Sequence, residues 1–333
     1  MDNNPTVMFV RVSENCNAGC FMCDYAHSHG LYNITMEQFN LLIQKMNQTG
    51  SYKMIRFTGG EPLLHPNIVD FVKISRDNGY LTSIITNGFL LPNLAEKLGN
   101  AGLNQVIISV DGSKSEINDT LRGLKGGLIR IKNGVNQIRK FNPQTIIRAN
   151  SVVSPQNIFD LNDLYQMLHD LKFDSWSIIP IRATNNENTK WNVNDLNKYK
   201  KEYDKFIDNQ KKYPGLELLG YSSKWAGNTL EEIEATFKNE YRRVPRNKCL
   251  LVDYVRFYIP DKDLIVPCNC AAHRIHQIKT EYEKEPDIFK KAEIMASWLK
   301  ENGPTHCSGC EPLNAYAGDN PKVLKEQLIK FKY

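Results

Sequence analysis

Near its start the chain carries three cysteines, in Cys16-Asn-Ala-Gly-Cys20-Phe-Met-Cys23, directly after the apolar run Val7-Met-Phe-Val-Arg-Val12. Three thiolates this close together can hold three irons of a [4Fe-4S] cubane and leave the fourth iron without a protein ligand. A cluster that only carries electrons usually has all four cysteine ligands. An open position is where a substrate or cofactor can bind the metal, so the spacing points to a cluster that does chemistry. Two other readings stand beside it. Positions 16, 20 and 23 have the i, i+4, i+7 spacing of one helix face, which would make them small apolar residues of a core helix. Asn15, Asn17 and Gly19 speak for a loop instead. A zinc site would need a fourth ligand from His27 or His29.

A second group of cysteines lies far downstream. The stretch 24–248 has none, and then come Cys249, Cys268, Cys270, Cys307 and Cys310. Eight cysteines in a cytoplasmic chain do not suggest a disulfide framework, and two separated groups suggest two metal centres. Between them lie short polar and glycine-rich turns: Gly59-Gly60-Glu61-Pro62, Asn87-Gly88, Ser109-Val-Asp111-Gly112 and Asn150. Gly-Gly-Glu-Pro alone is as easily an ordinary turn, and the polar residues could be strand-end caps.

The elements that must position these residues read as successive βα units. Apolar, strand-like runs fall at 7–12, 54–58, 81–86, 106–110, 145–153 and 175–181, alternating with helical periodicity at 36–46, 68–77, 94–100, 128–140 and 161–171. This pattern predicts an α/β fold with a parallel sheet. Six units are too few for a closed eight-stranded barrel, so a partial (β/α)6 TIM-like barrel is expected over 1–190. Each chemistry-bearing residue falls near the C-terminal end of a strand, the edge at which such barrels assemble their sites. A polar helical connector follows over 191–245, with helices near 191–212 and 230–241. The remainder, 246–333, reads as a small cysteine-rich C-terminal unit, with a hairpin over 255–266 turned by Asp261-Lys-Asp263.

The 333 residues carry a formal charge of +5, with basic and acidic side chains interspersed rather than gathered into a stripe. This excludes a nucleic-acid partner as the expectation. No apolar run is long enough to span a membrane and no signal peptide is evident, so a cytoplasmic protein is expected.

Taken in this order, the cysteines, the Gly-Gly-Glu-Pro turn and Ser109-Val-Asp-Gly112 resemble the radical S-adenosylmethionine (SAM) enzymes, over residues 7 to about 182. The resemblance implies that the open iron chelates the amino and carboxylate groups of SAM. It also implies that an electron then splits the sulfonium to give methionine and a 5′-deoxyadenosyl radical, which takes a hydrogen atom from substrate. It makes Cys16, Cys20 and Cys23 the cluster ligands. It places Gly59, Gly60, Glu61, Asn87 and Asn150 at the cofactor, with Ser109 and Asp111 at its ribose. The family usually has an aromatic residue before the third cysteine; Met22 stands there and would pack on the adenine.

The five later cysteines resemble the auxiliary-cluster extensions called SPASM and twitch domains. They imply a second [4Fe-4S] cluster held by four of the five, although a zinc knot would also suit the spacing. The spare thiol would be an alternative ligand, an inert cysteine or a hydrogen-atom donor. Arg148 and Arg182 are candidates for an anionic group of cofactor or substrate.

With the first strand starting near Thr6, no N-terminal peptide-binding module is expected. A small polar substrate, such as a sugar, aminosugar or nucleoside-like molecule, is the first reading, leading to oxidation, epimerisation or decarboxylation. Peptide modification is the second, and a non-catalytic metal or electron-transfer protein the third. A reducing partner such as flavodoxin or ferredoxin is implied.

Overall fold

The computed structural model describes residues 7–23, 32–181, 190–209, 212, 215–220, 238, 251–267 and 279–306. The expected strands form β1 (Val7–Ser13), β2 (Met54–Gly59), β3 (Leu81–Thr86), β4 (Gln105–Ser109), β5 (Ile146–Val153) and β6 (Ser175–Pro180). All pair in parallel and in chain order. The intervening helices are α1 (Met36–Thr49), α2 (Ile68–Asp77), α3 (Leu91–Ala101), α4 (Ser115–Arg122), α5 (Gly127–Phe141) and α6 (Leu161–Asp170). The fold is α/β, a partial TIM-like barrel of parallel strands.

Strand alternation divides the sheet into two faces. Met8, Val10 and Val12, Ile55 and Phe57, Ile84, Val106 and Ile108, Ile147 and Ala149, and Trp176 and Ile178 join one apolar cluster with helix residues such as Phe39, Phe71, Ala95, Val135 and Leu164. The alternate positions face inward and are largely polar: Arg11, Arg56 and Thr58, Ser83, Gln105 and Ser109, Arg148 and Asn150, Ser175 and Ser177. The apolar core thus lies on the helix side of the sheet, and the inner wall is largely polar.

The helix ends follow local chemistry. α1 starts with a capping box in which Thr35 and Gln38 each satisfy the other's backbone N–H, and it stops at Gly50, whose φ of 63° is the left-handed cap.

The sheet departs from expectation at both ends. β7 (Glu217–Gly220) adds a seventh parallel strand beyond β6, where six were expected. The hairpin forms as expected, as β8 (Val255–Ile259) and β9 (Leu264–Val266), turned where Asp263 takes φ 40°. However, β8 pairs in parallel with the free edge of β1, so the hairpin extends the barrel's own sheet. The described residues therefore make one nine-stranded sheet ordered β7-β6-β5-β4-β3-β2-β1-β8-β9. Phe9 of β1 stacks on Phe257 of β8, with ring centroids 4.6 Å apart, which gives that pairing an apolar seam.

Buried Arg256 fastens the same strand to the helix Ile288–His306 through a bidentate bond to Glu293, with Nη2 2.7 and 2.8 Å from the two carboxylate oxygens. The connector helix forms over Leu196–Asn209, while the expected helix at 230–241 lies almost wholly outside the described residues.

Candidate functional site

The cysteine loop leaves β1 at Ser13, and the chain returns beside β1 at Tyr32–Ile34. There Glu14 N–H donates to Tyr32 O (2.9 Å) and Ile34 N–H to Val12 O (2.9 Å). Within the described part of the loop, residues 14–23 form no regular helix, so the loop reading of Cys16–Cys23 replaces the helix-face reading.

Three separate parts of the barrel hold this loop. The first is the Gly-Gly-Glu-Pro turn at the end of β2. Gly60 N–H donates to Ser13 O at 2.8 Å and Glu61 N–H to Asn15 O at 2.7 Å. These backbones approach so closely that a Cβ on Gly59 would lie 2.2 Å from Ser13 O, and one on Gly60 2.3 Å from Asn15 O. Gly59 also sits at φ 136°, a conformation open to glycine. The sequence suggested that these glycines admit a ligand; the close approach observed is to the cysteine loop itself.

The second anchor is the end of β3. Fully buried Glu61 accepts from Leu63 N–H (2.9 Å), Thr86 Oγ1–H (2.6 Å) and Asn87 N–H (2.7 Å), tying β2 to β3. Burial pushes its carboxyl upward, and these donors pull it back. Asn87 then donates through Nδ2 to Asn17 Oδ1 in the cysteine loop, at 2.8 Å.

The third anchor is the C-terminal end of α4. Phe21 N–H donates to Leu121 O at 3.4 Å. Gly123, at φ 55°, lies against the Gly19 backbone, where a Cβ would meet Gly19 O at 2.6 Å. Arg122 Nη1 points its N–H at Cys20 Sγ, 3.8 Å away. The other side of that guanidinium is clamped by Asp111, with Nε 2.6 Å from Oδ2. Asp111 is 0% exposed and also accepts from Val152 N–H at 2.7 Å. Burial pushes the Asp111 carboxyl upward, against the pull of Arg122. The Asp111 side chain is thus engaged inside the barrel wall.

Cys16, Cys20 and Cys23 are free of disulfides; Cys20 is buried, and the other two are half-buried. Burial pushes the Cys16 and Cys20 thiols up, and Arg122 opposes the shift at Cys20. Cys16 and Cys23 pack with Cys20 in one small cluster against Ala18 and Leu124. No three potential ligands among the described residues converge as a single ion requires. A lone zinc would draw its sulfurs in to about 2.3 Å from one centre. A cubane takes its ligands on different irons, one thiolate to each. Three free thiols packed on one loop fit the donor set of a three-cysteine cluster.

Met22 packs with Ala18, Cys20, Leu124 and Phe89 beside the thiols. Ser109 and Asn150 are register partners on the inner wall, and Asn150 Oδ1 is a buried acceptor with no hydrogen-bond partner among the described residues. Below them, Arg56 donates through Nε to Ser83 Oγ (3.2 Å) and through Nη2 to Gln105 Oε1 (3.0 Å), with its guanidinium over the Phe9 ring. Burial, and then the charge of Arg148, press against its protonated form and lower its pKa. His27, His29, Arg182, Cys249, Cys268, Cys270, Cys307 and Cys310 lie outside the described residues.

Sequence reasoning missed Arg122 and the short helix α4 that delivers it. The only local cue was an arginine before a glycine helix stop, a pattern common to many helix ends.

Comparisons with known proteins agree with this geometry. Residues 10–168 match the Radical SAM superfamily. A probable GTP 3′,8-cyclase of Methanocaldococcus jannaschii is 30% identical over 63% of this chain and 73% of that protein. An AdoMet-dependent heme synthase of Methanosarcina barkeri is 28% identical over 51% of this chain. The match spans about half of that synthase, 49%. Among solved structures, anSMEcpe with bound AdoMet and Kp18Cys peptide superposes with a TM-score of 0.64 at 18% identity, covering 94% of this chain and 88% of that one. Streptococcus suis SuiB bound to precursor peptide SuiA gives 0.63 at 15%, covering 97% and 71%. The chain belongs to the Radical SAM superfamily, a family that implies a [4Fe-4S] cluster and SAM. No described helix is long and apolar enough to cross a membrane.

Proposed function

We propose that this chain is a radical SAM enzyme acting on a small polar molecule of sugar-, aminosugar- or nucleoside-like type, and that it leads that substrate to oxidation, epimerisation or decarboxylation. The observation that carries the reading is the loop of three unpaired thiols, fixed at the C-terminal edge of the barrel by three anchors. Cys16, Cys20 and Cys23 would hold the cluster, which with SAM supplies a 5′-deoxyadenosyl radical. Gly59, Gly60 and Glu61 hold the loop in place, and Asn87 steadies its first turn through Asn17. Met22 and Asp111 shape the wall around the thiols, while Ser109 and the orphan acceptor of Asn150 offer polar contacts to the cofactor.

The polar inner wall, with Arg11, Arg56 and Arg148 on it, supports a polar substrate and favours one that bears an anionic group. The name of the cyclase relative favours a nucleotide-like molecule. Peptide modification is the second reading, and the peptides named with SuiB and anSMEcpe favour it.

We further propose that Cys249, Cys268, Cys270, Cys307 and Cys310 supply four ligands of an auxiliary [4Fe-4S] cluster. A flavodoxin or ferredoxin would be the reductant, and the reducing cytoplasm the setting.

Anaerobically reconstituted protein, reduced in the presence of SAM, is expected to release 5′-deoxyadenosine and methionine. The Cys16/Cys20/Cys23→Ala variant should release neither and should hold about four irons where the wild type holds about eight. No deoxyadenosine from an iron-loaded wild type would overturn the enzyme reading. About four irons falling to none would remove the second cluster alone.

A further inference from the structure

Arg122 stands between a buried carboxylate and a cluster thiol. Its side chain is 13% exposed and that of Asp111 is 0% exposed. Its Nε faces Asp111 Oδ2 at 2.6 Å, while Nη1 on the fork donates toward Cys20 Sγ at 3.8 Å. Cys20 Sγ also lies 3.6 Å from the Arg122 carbonyl, a contact that needs the thiol proton. A ligated sulfur has no proton and can only accept, so on metal binding the guanidinium contact is the one retained. Asp111 is itself fixed by Val152 N–H at 2.7 Å, on the neighbouring strand. The ion pair is therefore a held dipole with its positive end at Cys20.

From this geometry we infer that Arg122 is a positioning residue that raises the reduction potential of the cluster held by Cys16, Cys20 and Cys23. The inference rests on the cluster reading given above. A one-electron reduction adds one negative charge to the cluster. An N–H donor and a positive charge beside a ligating sulfur stabilise the more negative state. The effect is not that of a full free charge, because Asp111 cancels much of it at longer range. What survives is the short-range hydrogen bond and the dipole, in a site where little water screens them. Arginine suits the role better than lysine, since its fork engages both partners at once.

The test is the midpoint potential of the reduced-state EPR signal that changes when SAM is added, together with iron content, on full-length reconstituted protein. Adding SAM identifies the open-site cluster against any other. Arg122→Met removes the donor to Cys20 and should lower the potential. The Arg122→Met/Asp111→Asn double variant removes the donor without leaving a buried carboxyl that has lost its partner, and should lie below the wild type as well. Arg122→Lys should recover part of the difference. If the single variant fails to fold, the double variant decides: a lowered potential supports the inference. A potential equal to that of the wild type, with full iron loading, overturns it and leaves Arg122 a purely structural residue. A wild type that binds no cluster at the three cysteines would instead overturn the underlying reading, and this inference with it.

Discussion

Gly60→Ala should unseat the cysteine loop while leaving most of the barrel intact. The new methyl would lie 2.3 Å from Asn15 O, 2.6 Å from Glu14 O and 2.7 Å from Asn15 C, all of them backbone atoms. Relief to an ordinary contact requires a displacement of about 1 Å or more. The same backbones are joined by Gly60 N–H to Ser13 O at 2.8 Å and Glu61 N–H to Asn15 O at 2.7 Å. A shift of that size takes both bonds out of range. At about 1 kcal/mol for each bond, plus about 1–3 kcal/mol for groups left unsatisfied, the loop's docking weakens by about 3–5 kcal/mol. Iron retained per chain after a timed chelator challenge measures this, with thermal unfolding alongside. Gly102→Ala is the control. Its φ is also positive, at 92°, but its nearest neighbours belong to the Arg76 side chain, away from the cysteine loop. The control should lower stability by about 1 kcal/mol and keep its iron. Equal iron retention in Gly60→Ala and the wild type would refute the reasoning, because it would mean that the backbone contact does not hold the loop.

Two further outcomes follow from buried polar groups. Glu61→Gln replaces an acceptor of three donors by a side chain with one acceptor oxygen and an NH₂ that must face an N–H or O–H. It should cost about 2–3 kcal/mol, visible as a lowered melting temperature and weakened iron retention; an unchanged melting temperature would contradict this. His65 is buried, with Nε2 3.0 Å from Ile34 O and Nδ1 accepting from Asn67 N–H at 3.1 Å, so its ring is neutral in the fold. Burial lowers its pKa from 6.5. The unfolded chain thus takes up the proton first, and stability is present above pH 6.5 and lost as pH falls through the window below it. His65→Gln should flatten that acid limb in urea unfolding measured at successive pH values, and an unaltered limb would show that other groups produce it.

Local chemistry was legible in the sequence and distant pairing was not. Cys16, Cys20 and Cys23 declare themselves because ligand spacing is a short-range property. The six strands 7–181 were legible because each alternates or runs apolar against strong helical periodicity. The helix at 115–122 was missed because it is eight residues long and largely polar. α3 starts three residues before the expected 94, with Pro92 in its first turn, where a proline is favourable. The hairpin 255–266 was visible from its turn, but nothing in its own residues says that it will seat against β1. That is decided by the open edge of a sheet whose first strand is about 250 residues earlier in the chain. Glu61 likewise looks like a ligand contact in sequence, since the donors that claim it, Thr86 and Asn87, come from a strand that only folding brings alongside.

This difference between local and distant signals bears on how the cluster site is built. Zinc fingers and similar small metal sites rely on the metal to order their ligands. Here the described loop is held by contacts that involve no metal: two backbone hydrogen bonds to the β2 turn, the hydrogen bond that Asn87 Nδ2 donates to Asn17 Oδ1, and the Gly19–Gly123 contact at the end of α4. At about 1 kcal/mol each, three such bonds offset much of the entropy of ordering the few residues around Cys16. The loop can therefore stand close to its ligating form before any metal arrives. The ends of β2, β3 and α4 set its position, while Ser109 and Asn150, proposed to meet the cofactor, stand next door on β4 and β5. A change at any of the three ends should therefore move the ligand spacing relative to a cofactor wall that stays in place.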